Sequence, residues 1–132
     1  MTSPVYIARS HGFEVCVQPQ FLDDQSDPDE DHFVWAYHVC IINKSEAPAQ
    51  LRNRHWVITD AAGFVQEVRG AGVVGEEPEI EPGGRYDYTS GVPLTTPSGL
   101  MHGSYEMEAP DGSRFDIRIP PFALDSQFAK VH

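Results

Sequence analysis

Three glycines, Gly70, Gly72 and Gly75, spell G-x-G-x-x-G within "RGAGVVGEEPEIEPGG", residues 69–84. In a dinucleotide site this spacing lets a backbone turn approach a pyrophosphate, and the helix that follows offers its N-terminal N–H groups. Here "EEPEIEPGG" follows instead. Pro78 and Pro82 exclude a continuing helix, and Glu76, Glu77, Glu79 and Glu81 would repel a phosphate. Without strand, turn and helix in that order, the motif is not a Rossmann fingerprint. A smaller chemistry survives, because successive N–H groups of a glycine-rich loop can form an anion nest with no helix. Arg69 adjoins the loop, Arg85 closes it, and Arg52 and Arg54 precede it. Local positive potential there could hold a phosphate or a partner's carboxylate. The competing reading gives the glycines to a curved crossover between sheets and pairs the arginines with neighbouring glutamates.

Other reactive residue types fall short of a catalytic or metal-binding set. Ser90 in "YTSGV" has one flanking glycine, not the G-x-S-x-G of a nucleophile elbow, and reads as a turn residue. His55, beside Trp56, could act as a base or touch a ligand; the commoner role is a strand histidine bonded to a backbone carbonyl. His38 and Cys40 share one face of a strand, as a zinc pair would. No second pair at ligand spacing accompanies them, so they read as packing residues. Asp27, Asp29 and Asp31 alternate as in a calcium loop, but His32 and His38 stand where glycine and glutamate are required. The segment "DDQSDPDEDH" (23–32) is therefore a solvated loop, with at most loose divalent binding. No catalytic residue, metal site or cofactor is expected.

The elements that must carry these residues are strands. Eleven prolines and eleven glycines recur at short intervals, leaving no room for an ordinary helix. "FEVCVQPQF" alternates Phe13, Val15 and Val17 against Glu14, Cys16 and Gln18. "HFVWAYHVCIIN" is apolar on both sides and predicts a central strand covered on each face. "RNRHWVITD" and "FVQEVRG" flank a turn at Gly63, and "GLMHGSYEMEA" and "SRFDIRIPPF" flank "PDG"; both read as hairpins. "GRYDYTSG" alternates Tyr86 and Tyr88 against Asp87 and Thr89. Seven or so strands predict an all-β, antiparallel two-sheet β-sandwich. Tyr86, Tyr88, Tyr105, Met101 and Met107 either fill its inner faces or form a partner patch, and the pattern does not apportion them.

At 132 residues the chain predicts one domain over 1–132. Its formal charge of -11, from 20 acidic and 9 basic residues, disfavours nucleic acid and anionic membranes. No apolar run suffices to span a bilayer, and "MTSPVYIARSHGFEV" lacks the features of a signal peptide. A cytoplasmic protein with reduced thiols follows, Cys16 and Cys40 bridging only if their strands pair.

Four blocks, "RHWVITD" (54–60), "GVVGEEPEIEPGGRYDYTSG" (72–91), "TPSGLMHGSYEM" (96–107) and "IPPFAL" (119–124), resemble the ApaG family. The resemblance covers about residues 5–125 and implies an immunoglobulin- or fibronectin type III-like sandwich. It implies cobalt and magnesium tolerance, after the family's alternative label CorD. The family's genes neighbour those of a dinucleoside tetraphosphate hydrolase and an rRNA dimethylase. Reuse of the domain in F-box proteins and a polymerase-interacting protein implies a non-catalytic module with a protein partner. The pyrophosphate site suggested for the family carries over to Gly70, Gly72 and Gly75, with Arg69 and Arg54 beside it. Oligomeric state stays open.

Overall fold

The computed structural model describes residues 4–129, so the expectations of one domain over 1–132 and of no leader at Met1 extend outside it. In chain order the strands are β1 (Tyr6–Ser10), β2 (Phe13–Phe21), β3 (Phe33–Asn43), β4 (Ala49–Asp60), β5 (Val65–Ala71), β6 (Glu79–Ile80), β7 (Arg85–Leu94), β8 (Gly99–Glu108) and β9 (Arg114–Leu124). The acidic segment holds two three-residue 3-10 turns, Asp23–Gln25 and Pro28–Glu30. One sheet runs β1-β2-β3-β7 and the other β5-β4-β8-β9, with β6 also paired to β4. Every strand pairing is antiparallel, as expected of strands joined by short turns. Both hairpins form, with Gly63 and Gly112 at positive φ in their turns. β1 and β6 were missed by sequence reasoning, one being five residues long and the other two.

Burial follows the two-residue period. Phe33, Trp35, Tyr37, Val39 and Ile41 all face the core from β3. The outer face of β3 departs from expectation: Cys40 is buried, but His38 is exposed and Val34, Ala36 and Ile42 are half-buried. β3 is central because β2 and β7 flank it, while its outer face has no third layer. Trp56 meets Tyr37 across the core and Phe122 and Tyr105 of its own sheet, all edge-on, with centroids 5.2, 6.0 and 6.3 Å away. Cys16 and Cys40 lie directly opposite each other on β2 and β3, yet both are free thiols. Burial pushes both thiols up, Cys40 to about 12, with Glu14 adding to the shift at Cys16 and Asp87 at Cys40.

Asn43, at the end of β3, is a fully buried polar residue that no sequence pattern singled out. Its Nδ2 donates to Ala47 O at 2.8 Å and Ile80 O at 2.9 Å, and its Oδ1 accepts from Ser45 N and Oγ. These bonds tie β3, the turn after it and β6 into one corner. Asn43→Ala removes the donor to the Ile80 carbonyl at a buried site and leaves Ala47 O only its bond from Ser45 Oγ, and should cost about 2 kcal/mol in urea unfolding. A loss within a few tenths of a kcal/mol would remove this role.

Candidate functional site

The glycine motif interrupts an edge strand. β5 pairs with β4 along residues 53–59, and β6 resumes the pairing at residues 49–50. Between them the chain leaves the sheet opposite a bulge in β4 at Leu51/Asn53. Gly72 N donates to Arg52 O at 2.8 Å there. Val73 and Glu76 exchange both backbone hydrogen bonds, at 2.8 and 2.9 Å. Val74 and Gly75 take φ of 45° and 81°, both positive, as a two-residue type I′ turn requires. No helix follows.

The glycines thus have separate tasks. At Gly72 a Cβ would sit 2.2 Å from Glu76 O, so the turn cannot close over a larger residue. At Gly70 a Cβ would lie 2.7 Å from Arg54 Nη2, because the guanidinium of its cross-strand partner lies over it. Gly75 faces open space and serves the positive φ. Among the loop amides, Gly72, Val73 and Glu76 are bonded within the fold, while Val74 and Gly75 N–H have no partner among the described residues.

The four arginines around the loop also divide. Arg52 pairs with Glu77 at 3.2 Å and Glu108 at 3.0 Å. Arg69 lies 3.7 Å from Glu67, and Arg85 lies 2.8 Å from Asp87. Arg54 has no carboxylate partner among the described residues; its Nη1 donates instead to Ala71 O and Gly72 O, both at 2.9 Å. It shares the inward parity of Trp56 and Ile58, which are buried at the core.

Two cavities meet at Arg54. One, of about 510 Å³, lies among Asn53, His55, Arg69, Gly70, Ser104 and Glu106. The other, of about 430 Å³, opens between the edge strands β5 and β7. Val73, Val74 and Gly75 line it, with Tyr37, Trp56, Tyr88 and Ser90. The suggested site residues are therefore divided: Arg69 and Gly70 line the groove, Gly75 the inter-sheet cleft, and Arg54 both. Gly72 is buried in the turn behind them.

Of the residues left unapportioned, Tyr88, Tyr105, Met101 and Met107 are buried and Tyr86 is half-buried. The Tyr88 hydroxyl bonds to that of Tyr105, a fully buried residue, and the Tyr86 hydroxyl donates to Glu76 at 2.7 Å. Ser90 lies within β7 opposite Tyr37, not in a turn. His55 bonds to the Glu67 carboxylate at 2.8 Å, where a backbone carbonyl was expected. His38 bonds to Thr89 at 2.9 Å and lies 3.3 Å from Asp87. Among the described residues, no three His, Cys, Asp or Glu side chains are placed to hold a metal ion.

Burial holds the phenols of Tyr37, Tyr88 and Tyr105 above the ordinary tyrosine range. Burial and then the Glu76 bond push Tyr86 up to about 12. The folded state therefore favours the neutral phenols. Their contribution is complete below the unfolded pKa near 10 and is lost as pH rises toward the folded values. Unfolding followed by circular dichroism should coincide with the rise in tyrosinate absorbance of these residues. Ionisation well before loss of structure would contradict their burial.

The fold and its cleft define a two-sheet all-β sandwich open along one side. The ApaG domain model matches residues 23–109. Protein ApaG of Paramagnetospirillum magneticum is 60% identical over 126 residues, covering 96% of this chain and 97% of that protein. Protein ApaG of Parvibaculum lavamentivorans is 53% identical with the same coverage. A crystal structure of the putative ApaA protein from Bordetella pertussis aligns with a TM-score of 0.84 and 41% identity, covering 98% of this chain and 100% of that one. The chain belongs to the ApaG family. None of its described helices is long and apolar enough to cross a membrane.

Proposed function

We propose that the protein is a non-catalytic binding module of the cytoplasm that takes a protein partner along the free edge of β5 and the outer face beside it. The supporting observation is an exposed apolar row. Val65, Thr59 and Leu100 are cross-strand neighbours, and Val65 and Leu100 are 62% and 56% exposed. Phe64, adjoining Val65, is 76% exposed. Such a patch beside unpaired strand-edge groups suits strand addition by a partner, with its side chains on the apolar row. The formal charge of -11 favours a basic partner. The link to cobalt and magnesium tolerance would run through that partner.

A photo-crosslinking residue at position 65 or 100 should capture one discrete protein in cells, and Leu100→Asp should abolish capture and reproduce the cation sensitivity of a deletion. No adduct, or the same adduct from exposed Ile7 on β1, would defeat the reading.

A second reading, a pyrophosphate-containing ligand at Gly70–Gly75, is favoured by the partnerless N–H groups of Val74 and Gly75. Thermal shift with nucleotides and dinucleoside polyphosphates tests it, and the absence of any shift at millimolar ligand removes it.

A further inference from the structure

In a chain with 20 carboxylates, a cation has no shortage of partners. Arg9 and Lys44 share Glu14, Arg52 has two glutamates, Arg69 and Arg85 have one carboxylate each, and Arg114 meets Glu106 and Glu108. Arg118 has no ion pair but is exposed to water. Arg54 differs from all of these. It is half-buried, inward-facing and without a carboxylate, and the cleft between β5 and β7 that it lines has no Asp or Glu among its lining residues. Two carbonyl contacts through Nη1 leave other donors of its five-donor fork uncommitted. A partly desolvated guanidinium of this kind gains most from a planar or tetrahedral oxyanion.

The rest of the cleft suits what such an anion would carry. Trp56, Met101 and Val92 give it an apolar wall, and Tyr88 and Ser90 add hydroxyls. Phenols are neutral at about pH 7, and the Tyr88 hydroxyl already has a bond to Tyr105, so the Ser90 hydroxyl is the further donor facing the space. The volume of about 430 Å³ lies within the range of small-molecule sites, about 300–1,000 Å³.

We propose that the cleft between β5 and β7 binds a small organic anion, with a carboxylate or phosphate-monoester head on Arg54 and a ring-sized apolar body against Trp56 and Val92. This assigns Gly70 a different task from pyrophosphate contact: it is the gap through which the Arg54 side chain passes. The site is separate from the outer-face row, so failure of either reading leaves the other standing.

The test is amide NMR of the 15N-labelled protein titrated with benzoate, phenyl phosphate, inorganic phosphate and benzamidine. One of the two aromatic acids should shift the amides of Arg54, Tyr88, Ser90 and Val92 saturably. Inorganic phosphate should bind about tenfold more weakly for want of the apolar body. Benzamidine, a ring of similar size with a positive head, should not compete. Arg54→Gln should weaken binding about tenfold or more. Should that variant fail to fold, Val68→Trp, which fills the cleft mouth from β5, should abolish binding with Arg54 intact. Absence of saturable shifts at millimolar acid would overturn the proposal. So would equal binding of benzamidine or of inorganic phosphate, unchanged affinity in Val68→Trp, or shifts confined to Asn53 and Glu106 in the neighbouring groove.

Discussion

Gly103→Ala is expected to cost about 4 kcal/mol or to prevent folding altogether. Gly103 sits in β8 between two partners, opposite Trp56 of β4 and Ile119 of β9. A Cβ there would lie 2.0 Å from His55 O, 3.1 Å from His55 C and 3.2 Å from Trp56 Cα. Every one of those atoms is backbone, so no side chain can rotate away. The β4 backbone could retreat only by moving Trp56, which is 3% exposed and at the centre of the aromatic cluster. Overpacking by a methyl group ordinarily costs about 1–3 kcal/mol. Here two paired strands must separate as well, which sets the larger figure. Urea unfolding, or loss of soluble expression, provides the readout. A stability within 1 kcal/mol of the parent, the low end of that range, would mean that β4 can move freely at this point.

The second large effect separates the glycines of the loop. Gly72→Ala should cost about 3 kcal/mol without any ligand present. Its φ of 62° is unfavourable for alanine, and its Cβ would be forced to 2.2 Å from Glu76 O. Relief requires opening the turn that seats Val73, a core residue 1% exposed. Gly75→Ala has the same left-handed backbone but open space around it, and should cost only about 1 kcal/mol. Val74→Asn should gain up to about 1 kcal/mol, since a β-branched residue at φ 45° is strained and Asn-Gly suits a type I′ turn. The order Gly72, Gly75, Val74 in unfolding free energy is the signature of a tight turn. Equal losses at Gly72 and Gly75 would contradict it.

Much of this was legible in the chain. The two-residue period marked β2, β3 and β7 as strands and grouped Phe13 with Val15 and Val17 on one face, which the fold buries. Gly63 and "PDG" located two turns because positive φ has few tolerant residues. Pro78 and Pro82 ruled out the helix a dinucleotide site needs, through the missing N–H and ring clash that proline always brings. These are local constraints, and local chemistry suffices to read them.

What only the tertiary structure decided depends on register and on which strands end as neighbours across the core. Arg52, Arg54, Arg69 and Arg85 look alike in sequence. Which partner each one meets, a carboxylate for three of them and two carbonyls for Arg54, follows from a bulge at Leu51/Asn53 and from pairings such as Arg54 with Gly70. Cys16 faces Cys40 only because β2 and β3 align with that offset. The cleft exists because β5 and β7 are edges of different sheets, brought face to face by the crossover through β6. Alternation dictates which way a side chain points; it carries no record of the strand, the sheet or the empty volume it will point toward.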